Sequence, residues 1–136
     1  MTQYVGILEG DKDVWSIRIP DVPGCHGGGD SADAALADTI SALREVAVLY
    51  KADGVELKPS RSMSEIISDV EAEFNPSAGE SLVMVPLLLD RGRSTKANIS
   101  LDAGLLESID EEAKRRGLTR SAFLASAAID KISRGA

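Results

Sequence analysis

The chain has 136 residues, 43% hydrophobic and 27% charged, which is a globular rather than a disordered composition. Aromatic residues make up only 4%, so a core must be built mainly from Leu, Ile, Val and Ala, and the length allows one ordinary domain or two small ones. The longest apolar run, Leu82 to Leu89, is too short to span a bilayer, and Met1-Thr2-Gln3-Tyr4-Val5 lacks the basic flank and apolar run of a signal peptide. A single cysteine, Cys25, excludes an intrachain disulfide and fits a reducing compartment, so a soluble cytoplasmic protein is expected.

The formal net charge of -7 hides an asymmetry. Residues 1–90 carry 6 Lys/Arg against 16 Asp/Glu, a net of -10, whereas residues 91–136 carry 9 against 6, a net of +3. An acidic body suits a basic protein partner and a basic tail suits nucleic acid, so two modules with different partners are expected.

Tyr4-Val5-Gly6-Ile7-Leu8-Glu9 reads as a strand and Gly10-Asp11-Lys12-Asp13 as the turn after it. Val14 to Ile19 alternates at period two and completes a hairpin, with Trp15 and Ile17 on one face unless a bulge displaces them. Pro20-Asp21-Val22-Pro23-Gly24 is a turn, because each proline fixes φ and removes a donor. A long helix follows, capped by Asp30 or Ser31. Its buried stripe is Leu36, Ile40, Leu43, Ala47 and Tyr50, and Gly54 is its stop.

Ser62-Met63-Ser64-Glu65 has capping-box form and starts a shorter helix. Met63, Ile66, Ile67, Val70 and Phe74 are expected on one face of it, and Asn75-Pro76 ends it. Leu82 to Leu89 reads as a buried strand, with Pro86 placing part of it at a sheet edge. The polar, glycine-containing Asp90-Arg91-Gly92-Arg93-Ser94 marks the module boundary, giving modules at 1–90 and 94–136.

In Thr95-Lys96-Ala97-Asn98-Ile99-Ser100-Leu101 the apolar Ala97, Ile99 and Leu101 alternate with Lys96, Asn98 and Ser100, the pattern of a strand buried on one face. Asp102 caps a helix carrying Leu105, Leu106, Ile109 and Ala113, with Lys114-Arg115-Arg116 in its last turn and Gly117 as its stop. Thr119 caps a second helix bearing Phe123, Leu124, Ala127, Ala128 and Ile132. A lone strand with two short helices cannot complete a fold, and chains of about 40 residues usually need oligomerisation. Two copies pairing their strands into an antiparallel ribbon solve this and leave Lys96, Asn98 and Ser100 on the outer face.

Lys96-Ala97-Asn98-Ile99-Ser100-Leu101, a helix, and then Gly117-Leu118-Thr119-Arg120-Ser121-Ala122-Phe123-Leu124 resemble the Arc/MetJ/CopG ribbon-helix-helix repressors. That resemblance implies that Lys96, Asn98 and Ser100 read bases in the major groove while Thr119, Arg120 and Ser121 grip phosphate. Ile19-Pro20-Asp21-Val22-Pro23-Gly24-Cys25, followed by Gly29-Asp30-Ser31-Ala32-Asp33-Ala34-Ala35, resembles the HicB antitoxins over about residues 1–55 and the strand at 82–89. The implied N-terminal domain is a truncated ribonuclease-H-like fold of βββαβ order without that enzyme's activity, which binds and blocks HicA, a small basic ribonuclease toxin.

Three enzymatic or ligand-binding readings are weaker. Gly24-Cys25-His26-Gly27-Gly28-Gly29 before a helix invites a phosphate cradle, but it lacks the Lys of a P-loop and Asp30 puts negative charge where phosphate would sit. A strand with tight backbone approach is the better reading. Cys25 and His26 are strand neighbours facing opposite sides, so they do not form a nucleophile pair, and together they fall short of a metal site. Asp11, Asp13, Asp21 and Asp30 lie in turns and at a helix cap, where Asp serves local hydrogen bonding rather than two-metal chemistry.

The expectation is therefore an α+β, non-enzymatic, two-module antitoxin with no cofactor, metal or catalytic residue. It neutralises a HicA-like ribonuclease and represses its own operon by binding operator DNA as a homodimer through the C-terminal ribbon, with further pairing into tetramers left open. The alternative is a ribbon-helix-helix regulator whose N-terminal domain senses a small molecule.

Overall fold

The computed structural model describes residues 2–89 and 95–134. The chain divides into two compact units, Met1–Asp90 and Arg91–Ala136. The boundary expected at Asp90-Arg91-Gly92-Arg93-Ser94 lies outside the described residues.

The first unit runs β1 (Gln3–Asp11), β2 (Val14–Arg18), β3 (His26–Gly29), α1 (Ala32–Ala52), α2 (Met63–Ser68), two 3₁₀ turns (Val70–Ala72 and Pro76–Ala78) and β4 (Ser81–Pro86). The strands form one antiparallel sheet in the order β3-β2-β1-β4. The central strand β1 is covered on both faces, which is why Tyr4 to Leu8 reads as an unbroken apolar run. Tyr4, Ile17 and Val85 pack beneath α1 with Ala35, Ile40 and Leu43. On the other face Val5 and Ile7 meet Ile66 and Ala72 from the segment between α1 and β4. Burying side chains such as Ile7, Ile17, Leu43 and Ile66 fully is worth roughly 1.5–3 kcal/mol each.

The expected hairpin is present, but β1 continues through Asp11 and the turn shrinks to Lys12-Asp13. Gly10 remains in the ladder opposite Trp15, and Lys12 takes the left-handed conformation at φ 57° that so tight a turn demands. Of the two cap candidates for α1, Ser31 does the work by accepting from Ala34 N at 3.0 Å. Gly54 follows the helix at φ 69°. Leu36, Ile40 and Leu43 do line the face toward the sheet, joined by Ala35 and Thr39, while Ala47 and Tyr50 stay partly exposed.

The glycines of β3 are explained by α1. A Cβ on Gly27 would stand 2.4 Å from Thr39 Oγ1 and 2.5 Å from Thr39 N, and one on Gly29 would stand 2.6 Å from Ala34 Cβ. Helix and strand touch backbone to backbone there, as the tight-approach reading of this glycine run expects.

The second helix departs from expectation. Ser62 caps it as the capping box predicts, accepting from Glu65 N at 3.2 Å, but it ends at Ser68. Ile66 is buried, whereas Ile67 and Val70 are 59% and 90% exposed. Asp69 breaks the helix: its backbone turns extended, its carboxylate accepts from Glu71 N at 3.0 Å, and it also receives Arg61. A tertiary ion pair thus overrides the helical period.

In the second unit residues 95–102 form no strand within the single chain, because no other strand among the described residues of the unit can supply a ladder. Helices α3 (Ala103–Arg115) and α4 (Arg120–Arg134) follow. Asp102 caps α3 by accepting from Leu105 N at 3.1 Å. Its end is a Schellman motif, with Gly117 at φ 70° and Leu118 N donating to Ala113 O at 2.8 Å. Thr119 caps α4, its Oγ1 accepting from Ala122 N at 3.1 Å.

Candidate functional site

In the first unit the turn between β2 and β3 is a closed knot of short bonds. Val22 N donates to Ile19 O at 3.1 Å, Cys25 N to Val22 O at 3.0 Å and Ile19 N to Cys25 O at 3.1 Å. Val22 is fully buried and Gly24 supplies φ 83°. Asp21 is buried as well, and both of its oxygens are engaged by Arg61, from the backbone N at 2.8 Å and Nε at 2.7 Å. Arg61 Nη1 continues to Asp69 at 2.8 Å, and its hydrogen bond holds the Asp69 carboxyl below the usual range. The chain Asp21–Arg61–Asp69 therefore pins the turn to α2. Tyr4 completes the anchorage, its hydroxyl donating to Lys58 O at 2.5 Å, and burial pushes its pKa upward with the Asp21 charge adding to the effect.

Asp21 is thus a structural ion-pair partner. Asp11, Asp13 and Asp30 are exposed, at the hairpin tip and before α1. Among the described residues no group of three or more His, Cys, Asp or Glu side chains is arranged to hold a metal ion. Cys25 is buried, and burial raises its thiol pKa, the opposite of what an activated thiolate needs. His26 points to the exposed face, with Nδ1 3.1 Å from Gly24 O. The pair lies on opposite sides of the strand, as its spacing requires.

Sequence reasoning missed Arg61 and Arg18. Arg18 donates to Ala72 O at 2.8 Å and Glu73 O at 3.1 Å and meets Glu80 at 3.5 Å, which ties the 3₁₀ segment onto the sheet. A lone charged residue in an otherwise uncharged strand was the available signal for Arg18. Nothing local marks Arg61, whose partners lie 40 and 8 residues away.

In the second unit Lys96, Asn98 and Ser100 are exposed, and so are the intervening Ala97 and Ile99, with Ile99 at 63%. Thr119, Arg120 and Ser121 come together at the α4 N-terminus, where the helix dipole favours an anion and Thr119 Oγ1 already takes Ala122 N. Arg120 is already engaged: Nε and Nη2 both reach Asp110 at 2.8 Å, which holds that carboxyl below its ordinary range. The Glu112 carboxyl is held down to about 2 by hydrogen bonds from Arg115 and Arg116. No helix among the described residues is long and apolar enough to cross a membrane.

Residues 4–128 match the family model described as the HicB_like antitoxin of bacterial toxin-antitoxin system. The chain belongs to this antitoxin family. A curated relative from Haemophilus phage HP1, described as an uncharacterized 14.9 kDa protein in the rep-hol intergenic region, is 29% identical over 108 residues, covering 79% of each chain. The crystal structure of the Burkholderia pseudomallei antitoxin HicB is similar over 100% of both chains, at 25% identity and TM-score 0.52. A chain of the HicA3 and HicB3 toxin-antitoxin complex is similar in fold at TM-score 0.50 and 17% identity, over 65% of this chain and 99% of that one. The mixed α+β architecture with its four-stranded antiparallel sheet is thus the architecture of HicB antitoxins.

Proposed function

We propose that this HicB-like antitoxin inhibits a small basic HicA-like ribonuclease through its acidic first unit, and represses its own operon by binding operator DNA as a dimer through a ribbon formed at residues 95–101. It performs no catalysis of its own. The charge split between the units supports the division of labour, since a net of -10 over residues 1–90 favours a basic protein and +3 over 91–136 favours DNA. Membership of a toxin–antitoxin family supports the first half. The ribonuclease-H-like description of the first unit rests on the strand order β3-β2-β1-β4 with a helix between β3 and β4.

The observation that carries the second half is how little the second unit buries. Only Ile109 and Ala113 are buried among its described residues, while Ile99, Leu101, Leu105 and Leu118 are 37–63% exposed and α4 has no buried residue. A unit of that size needs a partner to close its core. Pairing residues 95–101 of two copies gives the extended segment its missing ladder and covers Ala97, Ile99 and Leu101. Lys96, Asn98 and Ser100 are then left outward. A two-stranded ribbon fits the major groove, where Lys can donate to guanine O6 and N7 and Asn can pair bidentately with adenine. Thr119, Arg120 and Ser121 meet phosphate at the helix end.

The test uses the full chain and the basic product of the open reading frame beside its gene. Equimolar antitoxin should stop RNA cleavage by that product, and a near-palindromic duplex from the operon's upstream region should bind far more tightly than a scrambled one. Asn98→Ala should cost roughly 1–3 kcal/mol per half-site and relax preference at one base position. If the ratio of specific to scrambled affinity is unchanged, the ribbon is not the reading head.

A further inference from the structure

The outer face of the sheet, opposite α1, is covered unevenly. Its β1–β4 half is sealed by α2 and the first 3₁₀ turn through Ile66 and Ala72. Its β2–β3 half is open and carries Ser16, Arg18, His26 and Gly28, by alternation with Ile17 and Gly27, which face the helix. Two of those four residues are small, so an incoming chain can approach the sheet closely. A cavity of about 440 Å³ lies there, floored by Ile7 and walled by Pro20 and Pro23, with Glu9 among its lining residues. That volume lies within the roughly 300–1,000 Å³ typical of ligand pockets.

The electrostatics of this cavity favour a cation. Arg18 is the one Arg or Lys among the described lining residues; two backbone carbonyls hold it in place and the Glu80 carboxylate at 3.5 Å offsets its charge. Glu9 is exposed, and among the described residues its carboxylate has one hydrogen bond, a long 3.5 Å one from Ser16 Oγ. The ladder places Glu9 beside Ser16, toward the hairpin tip, where the exposed Asp11 and Asp13 outnumber Lys12 between them.

We propose that the open β2–β3 face is the surface on which the basic toxin docks, its cavity taking an apolar side chain of the partner and Glu9 a neighbouring Lys or Arg. This rests on the toxin-binding reading above and assigns it a place. Buried anchors in well-desolvated pockets dominate binding energy, and complementary charge at the rim governs the on-rate. The Asp21–Arg61–Asp69 chain then acquires a role at a distance, because it holds the turn bearing Pro20 and Pro23 in place.

Titration calorimetry of the full chain against the basic product of the adjacent open reading frame tests this. Ser16→Trp, which fills the cavity from its rim, and Glu9→Lys should each weaken binding at least tenfold. Glu45→Lys, an equal charge change on the exposed side of α1, should weaken it less than threefold. Hydrogen exchange on the unmutated complex gives a readout that does not depend on any variant folding: amides of residues 14–29 should gain protection on toxin binding. If the toxin binds but Ser16→Trp and Glu9→Lys match Glu45→Lys, or protection falls elsewhere, the docking face is wrong while toxin neutralisation stands. If the unmutated chain does not bind the product at all, both are overturned.

Discussion

Gly27→Ala tests whether backbone contact between β3 and α1 is what holds the sheet edge under the helix. An alanine Cβ there would stand 2.4 Å from Thr39 Oγ1, 2.5 Å from Thr39 N and 2.8 Å from Thr39 Cα. The hydroxyl can rotate away, but the other two atoms belong to the backbone of α1, so the helix itself must move. Overpacking of this kind costs roughly 1–3 kcal/mol, and two backbone contacts place this site at the upper end. The lost freedom of the unfolded glycine returns about 0.4–1 kcal/mol. A net loss of about 2 kcal/mol corresponds to roughly 8–16 °C in Tm for a unit of this size. Gly28→Ala is the control, since its Cβ would meet only Trp15 O, at 3.2 Å, and it shares the same entropic contribution. Trp15, the only tryptophan of the chain and paired opposite Gly29, reports the melt by fluorescence. If the two variants melt within about 2 °C of each other, the close approach does not bear the stability assigned to it.

Ile99→Pro removes a ladder donor and an apolar side chain from the proposed ribbon, so sedimentation should show a monomer with a folded first unit; a persisting dimer would place the main interface elsewhere. Asp110→Asn releases Arg120 and removes a negative charge near the α4 N-terminus, so binding to scrambled DNA should tighten and the salt dependence steepen. An unchanged salt slope would show that Arg120 does not meet phosphate. The Glu112 carboxyl, held at about 2 rather than an ordinary 4.5, binds fewer protons folded than unfolded. Its stabilising contribution is therefore complete above about pH 4.5 and lost as pH falls toward 2. Carbon-detected titration should find its midpoint near the lower value, and Arg116→Ala should raise it.

What the sequence determined by itself was everything that depends on neighbours along the chain. Ser31, Ser62, Asp102 and Thr119 cap helices because each accepts from an N–H three residues on, a geometry set within one turn. Gly54 and Gly117 end helices for an equally local reason, the positive φ each adopts. The PDVPGC turn is legible in the same way. Only the tertiary structure decided the rest. The expected five-residue apolar face of the second helix failed because Asp69 is taken by Arg61, which also holds Asp21, and a contact across 40 residues leaves no period to read. The three glycines announced a close approach, but not that α1 is what approaches. Which half of the sheet stays open depends on where α2 settles, and that is set by the burial of Ile66 against Val5 and Ile7 rather than by any pattern within 63–68. Long-range contacts reward the chain only after loop closure, so they leave no local signature for a sequence reading to find.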